Sequence, residues 1–320
     1  MTVQCVICPH LCKLEAGEYG KCEARTNIEG AIVAKNYGLV AASGMDPIEK
    51  KPLYHFYPGR HILSIGTFGC NFTCVFCQNW QLAHGGEKGE FLAPEKLAEM
   101  AQALQNQGSI GVAFTYSEPL MWYEYLKDCM PLIREKGLQN VLVTNGFINP
   151  KPLQELISNL DAANVDLKSF DENFYKKIAG GDLKVVLNNI VKFKKAGVHL
   201  ELTYLVVPAL NDSYQEAKAM VKWIKEEVGK DTPLHISRYF PNYKLQIPAT
   251  PLEVMERCYD VAKEELSFVY LGNVSGEMGR DTFCPTCNEK LIGRTNYQGQ
   301  VLALSDGQCT SCGMKIYGKF

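Results

Sequence analysis

Gly69-Cys70-Asn71-Phe72-Thr73-Cys74-Val75-Phe76-Cys77 follows directly on a short apolar run, His61-Ile62-Leu63-Ser64-Ile65-Gly66, that reads as a strand. The three cysteines therefore share one loop at a strand's C-terminal end. Three thiolates at C-x3-C-x2-C spacing can hold three irons of a cubane [4Fe-4S] cluster, whereas an electron-transfer ferredoxin supplies a fourth cysteine. No fourth follows nearby, because the next cysteine, Cys129, lies in a stretch that reads as a helix. One iron is then left free to bind and activate another molecule. Zinc, or chance clustering, is the bland alternative.

The whole chain bounds what such a loop can serve. With 320 residues and 46% hydrophobic content it can bury one large domain plus appendages. A formal net charge of -2, without a long block of like charge, gives no electrostatic argument for nucleic acid or a membrane surface. No apolar run reaches membrane-spanning length, and Met1-Thr2-Val3-Gln4-Cys5 lacks the charged and apolar regions of a signal peptide, so a cytoplasmic protein is expected. Thirteen cysteines in such a chain point to metals rather than disulfides. All but Cys129 and Cys258 fall into three compact groups, and those two read as small buried hydrophobes in helices.

The first group, Cys5, Cys8, Cys12 and Cys22, sits on a loop-rich segment with Pro9, Gly17 and Gly20. Four thiolates there can staple the segment around one zinc or one auxiliary iron-sulfur cluster. Gly30 to Val40 reads as a strand or hairpin, and Asp46-Pro47-Ile48-Glu49-Lys50-Lys51-Pro52-Leu53-Tyr54-His55-Phe56-Tyr57-Pro58-Gly59 as an extended arm, a packed linker. From His61 to about Val274, apolar strands alternate with helical patterns. Strands are expected at Ile62 to Gly66, Ile110 to Thr115, Val141 to Thr144, Ala163 to Leu167, His199 to Val206, Leu234 to Ser237 and Phe268 to Leu271. A helix follows the capping run Asn211-Asp212-Ser213, with Ala217, Met220, Val221, Ile224 and Val228 on one face. This alternation predicts an α/β fold, a partial (β/α)6-type barrel rather than a flat doubly wound sheet.

Polar signals fall after the strands in turn. They are the cysteine loop, Tyr116-Ser117-Glu118-Pro119, Thr144-Asn145-Gly146, Asp166-Leu167-Lys168, a Thr203 to Asn211 segment, His235-Ile236-Ser237-Arg238 and Gly272-Asn273. In a (β/α) barrel these positions assemble one mouth. Asp166 and Lys168, two apart, share a face and can simply pair.

The last segment is separate in character. Cys284-Pro285-Thr286-Cys287 is echoed by Cys309-Thr310-Ser311-Cys312, each followed by Lys and then Gly at matched offsets. Two such knuckles present four thiolates to one metal, a zinc ribbon or a rubredoxin-like iron site, with a hairpin from Asn296 to Leu304 between them. The expected divisions are an N-terminal metal-binding extension and arm over 1–60, the barrel over 61–278, and a metal-ribbon module over 279–320.

The motif Cys70-x3-Cys74-x2-Cys77, with Phe76 before the last cysteine, resembles the signature of radical S-adenosylmethionine (SAM) enzymes. The resemblance implies a [4Fe-4S] cluster whose open iron is chelated by SAM. It also implies an external electron donor such as ferredoxin or flavodoxin, and reductive cleavage to a 5'-deoxyadenosyl radical that abstracts hydrogen from a substrate. Glu118 stands where the superfamily carries a Gly-Gly-Glu-like element facing the SAM ammonium, with Tyr116 and Ser117 in place of the glycines. Asn145, and the Asp166 and Lys168 pair, match elements that line the SAM site in glycyl-radical activating enzymes, to which the chain is similar. The resemblance gives Phe76 adenine packing as its role, with a core role as the alternative. His235 and Arg238 are candidates for catalytic contacts to substrate or SAM.

The fuller pattern, Cys5-x2-Cys8-Pro9-His10-x-Cys12, the Asp46 to His55 run and Cys77-Gln78-Asn79-Trp80, resembles AmmeMemoRadiSam-system radical SAM enzymes. The substrate implied is a glycyl-radical enzyme or a small metabolite. A non-catalytic iron-sulfur or zinc protein for electron transfer or scaffolding is the alternative of another class.

Overall fold

The computed structural model describes all 320 residues. A sheet of eight strands organises it. These are β1 (Ala42–Pro47), β2 (His61–Gly66), β3 (Ser109–Phe114), β4 (Gln139–Thr144), β5 (Ala162–Asp166), β6 (His199–Val206), β7 (Leu234–Arg238) and β8 (Val269–Gly272). From β2 to β8 each strand is parallel to the next in chain order. Helices α1 (Pro94–Ala103), α2 (Tyr123–Glu135), α3 (Pro150–Ile157), α4 (Leu183–Lys195), α5 (Tyr214–Trp223) and α6 (Leu252–Lys263) fill the crossovers. Strands covered on both faces need near-continuous apolar sequence, which is why Val112, Ala113 and Phe114 of β3 are all buried. The sheet ends at β8 on one side and β1 on the other, without closing, so the partial barrel expected from the alternation is what forms.

The seven apolar runs of the sequence become β2 to β8. Ser213 caps α5 by accepting from the Glu216 N–H, and Ala217, Met220 and Val221 face the core, as the periodicity predicts. Two expectations are refined. The extended arm is entered through a strand: Ala42–Pro47, which takes in the arm's Asp46 and Pro47, runs antiparallel to β2 from Ala42 opposite Gly66 to Pro47 opposite His61. Its Gly, Asp and Pro carry no strand signal and suit only an edge. Of the strand or hairpin expected over Gly30 to Val40, a strand forms at Ala31–Ala34 and its hairpin partner is Arg25–Ile28, before that range, while Leu39–Val40 pairs with Glu90–Phe91.

One buried carboxylate ties the arm to the sheet. Glu201 of β6 is fully buried and accepts four hydrogen bonds: His199 Nε2 (2.9 Å), His235 Nε2 (2.6 Å), and the Tyr54 and His55 N–H groups (2.9 and 2.7 Å). The C-terminal segment then builds on the arm. The Arg294 guanidinium lies 4.0 Å from the Tyr54 ring centre and donates to the Tyr54 carbonyl at 2.8 Å. His55 bonds the Tyr317 carbonyl and the Tyr270 hydroxyl at 2.6 Å each, and its own carbonyl accepts from the Lys319 N–H at 2.8 Å.

Burial lowers the His55 pKa from 6.5 to about 3, so the folded chain keeps this imidazole neutral while the unfolded chain takes up a proton below pH 6.5. The associated stability is complete above that pH and is lost as pH falls towards about 3. At pH 5 the loss from this one group amounts to about 2 kcal/mol. Guanidinium unfolding of wild type and His55→Gln at pH 7 and pH 5 checks this: the variant, weaker at pH 7, should lose less on acidification, and an equal loss in both counts against it.

Candidate active site

The loop after β2 is held by backbone bonds to three other segments. Cys70 N–H donates to the Cys22 carbonyl (3.1 Å), Thr73 N–H to the Ala179 carbonyl (2.9 Å), and the Val75 carbonyl accepts from Lys244 N–H (3.0 Å). Gly69 makes the first of these possible: at φ +96° it takes a left-handed conformation, and a Cβ there would lie 2.7 Å from both the Ala24 Cβ and the Cys22 carbonyl oxygen. Asn71 bridges to the segment after β4, donating to the Phe147 carbonyl (2.6 Å) and accepting from Asn145 Nδ2 (2.9 Å).

Cys70, Cys74 and Cys77 line a cavity of about 580 Å³ at the C-terminal ends of the strands, and no other cysteine reaches it. Burial pushes the Cys70 thiol well up and Cys74 up to about 11, with Lys168 opposing the shift at Cys74. Thiolates in such a place need a cation to be stable. A soft set of three donors at a cavity wall fits an iron-sulfur cluster with one iron left to the cavity.

Most of the polar residues picked out after the strands converge here. Glu118 is buried and accepts from Thr144 Oγ1 (2.6 Å), Asn145 N–H (2.8 Å) and Leu120 N–H (3.0 Å). Burial nevertheless raises its carboxyl to about 7. Asp166 and Lys168 pair at 2.9 Å; burial would depress the lysine, and Asp166 outweighs it, so the ammonium is retained. Phe76 is buried, with its ring 6.0 Å from Phe174, and still reaches the cavity. Tyr116 holds φ +72°, a conformation that favours glycine, and is kept there by its hydroxyl bond to Asp46 (2.9 Å) and by Lys51 over its ring. Ser117 is bonded to the Thr67 carbonyl at 2.6 Å. His235 lines the cavity but is committed to Glu201. Arg238 is corrected: it turns from the cavity, donates to the Thr250 carbonyl (2.7 Å) and covers Phe240, because β7 alternates its faces.

Six contributors carry no recognisable signal of their role in the sequence. Glu49, Lys50, Lys51 and Tyr54 of the arm line the cavity, as does Tyr297 at the tip of the hairpin β9 (Lys290–Thr295) and β10 (Gln298–Val301). Glu201 is the sixth, marked only as a charged residue inside the apolar run His199 to Val206.

The C-terminal cysteines converge as the paired knuckles predict. Cys284, Cys287, Cys309 and Cys312 have sulfurs all within 4.8 Å of one another, with Cys284–Cys312 and Cys287–Cys309 at 3.6 Å. Four sulfurs at tetrahedral zinc distances stand about 3.8 Å apart, so the set can hold one metal ion.

The family model for the Radical SAM superfamily matches residues 64–224. The chain belongs to the radical SAM superfamily. Its relatives include an uncharacterized protein of Methanocaldococcus jannaschii, 40% identical over 98% of this chain and 95% of that one. The pyruvate formate-lyase-activating enzyme of Clostridium pasteurianum is 27% identical over 49% of this chain and 66% of that enzyme. Streptococcus suis SuiB bound to S-adenosylmethionine shares the fold, with TM-score 0.54 and 13% identity over 74% of this chain and 56% of that one. Membership of the radical SAM superfamily implies a [4Fe-4S] cluster, SAM and an external reductant. No helix is long and apolar enough to cross a membrane.

Removing one knuckle should separate the two kinds of metal site. Cys287→Ala should lose one metal equivalent per chain and lower the thermal midpoint, while the absorbance of the Cys70 centre stays. Metal analysis of purified protein checks it, and unchanged metal content would rule out a site at the four sulfurs.

Proposed function

We propose that the chain is a radical SAM enzyme acting at the cavity formed by Cys70, Cys74 and Cys77. The single observation that carries this is the set of three thiols, with no fourth cysteine, on a cavity wall beside Glu118 and the Asp166–Lys168 pair. A cluster on these thiolates supplies the electron for reductive cleavage of SAM, releasing a 5'-deoxyadenosyl radical that takes hydrogen from the substrate.

The chain's own residues do the positioning. Glu118, pinned by Thr144 and Asn145, offers carboxylate charge to the SAM ammonium. Asn145 reaches both Asn71 and, at 3.9 Å, the Cys70 sulfur, so it orders the loop and the SAM site together. Lys168 is a fixed cation near Cys74, suited to the SAM carboxylate, with Asp166 holding it. Phe76 gives an apolar face for adenine.

The remaining cavity takes the substrate. Lys50, Tyr54, Tyr116 and Tyr297 wall it, and His235 closes its floor with an orientation fixed by Glu201. The arm and the hairpin tip stand over the side that an open barrel would leave free, which supports a small metabolite over a folded glycyl-radical enzyme. The run Asp46 to His55, now part of the wall, supports membership among the AmmeMemoRadiSam-system enzymes. The close 3.6 Å sulfur pairs support a single tetrahedral metal ion in the C-terminal module, with zinc in a structural role as the proposed occupant. A ferredoxin or flavodoxin is the proposed source of electrons.

Anaerobically reconstituted protein with dithionite and SAM should form 5'-deoxyadenosine, measured chromatographically. Cys74→Ala should form none, and undiminished product from it would sink the proposal. Glu118→Gln keeps the side chain's size but removes the charge and one of the two acceptor oxygens, and should raise KM for SAM about tenfold or more, equivalent to at least one lost charge-assisted bond. An unchanged KM would remove Glu118 from the SAM site.

A further inference from the structure

The N-terminal cysteines lie against the active-site loop. The Cys22 carbonyl accepts from the Cys70 N–H at 3.1 Å, so a residue of one cysteine set is hydrogen-bonded to a residue of the other. A second link runs through Asn71, whose carbonyl is bonded to His10 Nε2 at 2.8 Å and whose side chain reaches Asn145. Cys5, Cys8 and Cys22 are buried in the same apolar core as Cys74, and Cys12 is half-buried.

The four cysteines are neighbours in the fold: Cys5 N–H donates to the Cys12 carbonyl at 2.8 Å, and Cys22 lies close enough to Cys5, Cys8 and Cys12 for their charges to be felt. Their spacing is not that of zinc. In this chain the C-terminal tetrad has all four sulfurs within 4.8 Å, whereas no three sulfurs of Cys5, Cys8, Cys12 and Cys22 come that close, and neither do those of Cys70, Cys74 and Cys77. A cubane holds its thiolates on separate irons and therefore further apart than one metal ion does. The charge also fits. Arg25 is 2% exposed, sits beside Cys5 and Cys22, and spends its two terminal nitrogens on Glu124 while its Nε has no partner. A buried donor and cation facing thiolates suits an anionic cluster.

We propose that Cys5, Cys8, Cys12 and Cys22 hold a second iron-sulfur cluster that relays electrons to the Cys70 centre across the Cys22–Cys70 hydrogen bond. This rests on the radical SAM reading above. A low-potential protein donor of the ferredoxin or flavodoxin class gives up one electron and is oxidised. The second cluster takes it, going formally from 2+ to 1+, and returns to 2+ as the Cys70 centre is reduced; no atom or proton moves. Cys12, the least buried of its ligands, marks the side of entry.

The test compares holoenzyme of wild type, Cys12→Ala and Cys70→Ala, reconstituted anaerobically. Iron and sulfide analysis of wild type should give two cubanes per chain, and each variant should lack one. In the reduced wild type's paramagnetic resonance spectrum SAM should alter one signal only, and Cys70→Ala should retain the signal that SAM leaves unchanged. With reduced flavodoxin as donor, Cys12→Ala should cleave SAM at least tenfold more slowly than wild type. With dithionite, which reaches the open cavity directly, its rate should fall less than about twofold. Gly69→Ala, which crowds the Cys22 carbonyl, should retain both cubanes and also slow the flavodoxin-driven rate more than the dithionite-driven one. A second zinc ion beyond the one at the C-terminal tetrad, or a single cubane, in wild type, or equal loss with both donors in Cys12→Ala, overturns the relay while leaving the radical SAM reading standing. Absence of dithionite-driven cleavage in wild type overturns both.

Discussion

A carboxylate buried in the middle of a parallel sheet must be satisfied on every side, and Glu201 meets that demand by recruiting four donors from two strands and the arm. Two of those donors are backbone N–H groups of Tyr54 and His55, so the arm can take only one path across the sheet. Once Tyr54 and His55 are placed, Arg294, Tyr317 and Lys319 have their partners, and the C-terminal ribbon docks on a surface that the arm has made. The same carboxylate orients His235 at the floor of the cavity. One charge therefore couples the placement of the ribbon to the shape of the cavity.

Three cysteine sets serve three geometric demands. The C-terminal tetrad is drawn tight around a single point and staples a hairpin whose own core is small. The loop after β2 has to keep one side open, so its thiols are held by backbone bonds to segments far away in sequence rather than by a fourth ligand. The N-terminal set is packed into the barrel's own core, and the close approach at Gly69 leaves room for nothing but two backbones between it and the loop. A substitution that moves either set is therefore felt by the other.

Within the site, what was readable from sequence was what obeys a local rule. Glu118, Asn145, Asp166 and Lys168 each follow an apolar strand, and a parallel sheet puts all such positions at one end. Arg238 obeyed the same rule and still turned away, because alternation along β7 sends neighbouring side chains to opposite faces and Thr250 offers it a carbonyl. Lys50, Tyr54 and Tyr297 obey no such rule. They arrive from the arm that follows the edge strand and from a hairpin tip, and only the packing of distant segments brings them to the cavity.

The sequence by itself determined the parallel sheet, the loop of three cysteines at a strand end and the paired knuckles, since hydrophobic period and ligand spacing are properties of short segments. Tertiary structure alone decided that the arm begins as an edge strand, that Glu201 is its anchor, and that Cys22 meets Cys70. Those outcomes depend on hydrogen bonds between residues far apart in the chain, whose partners are chosen by burial and not by any neighbour in sequence.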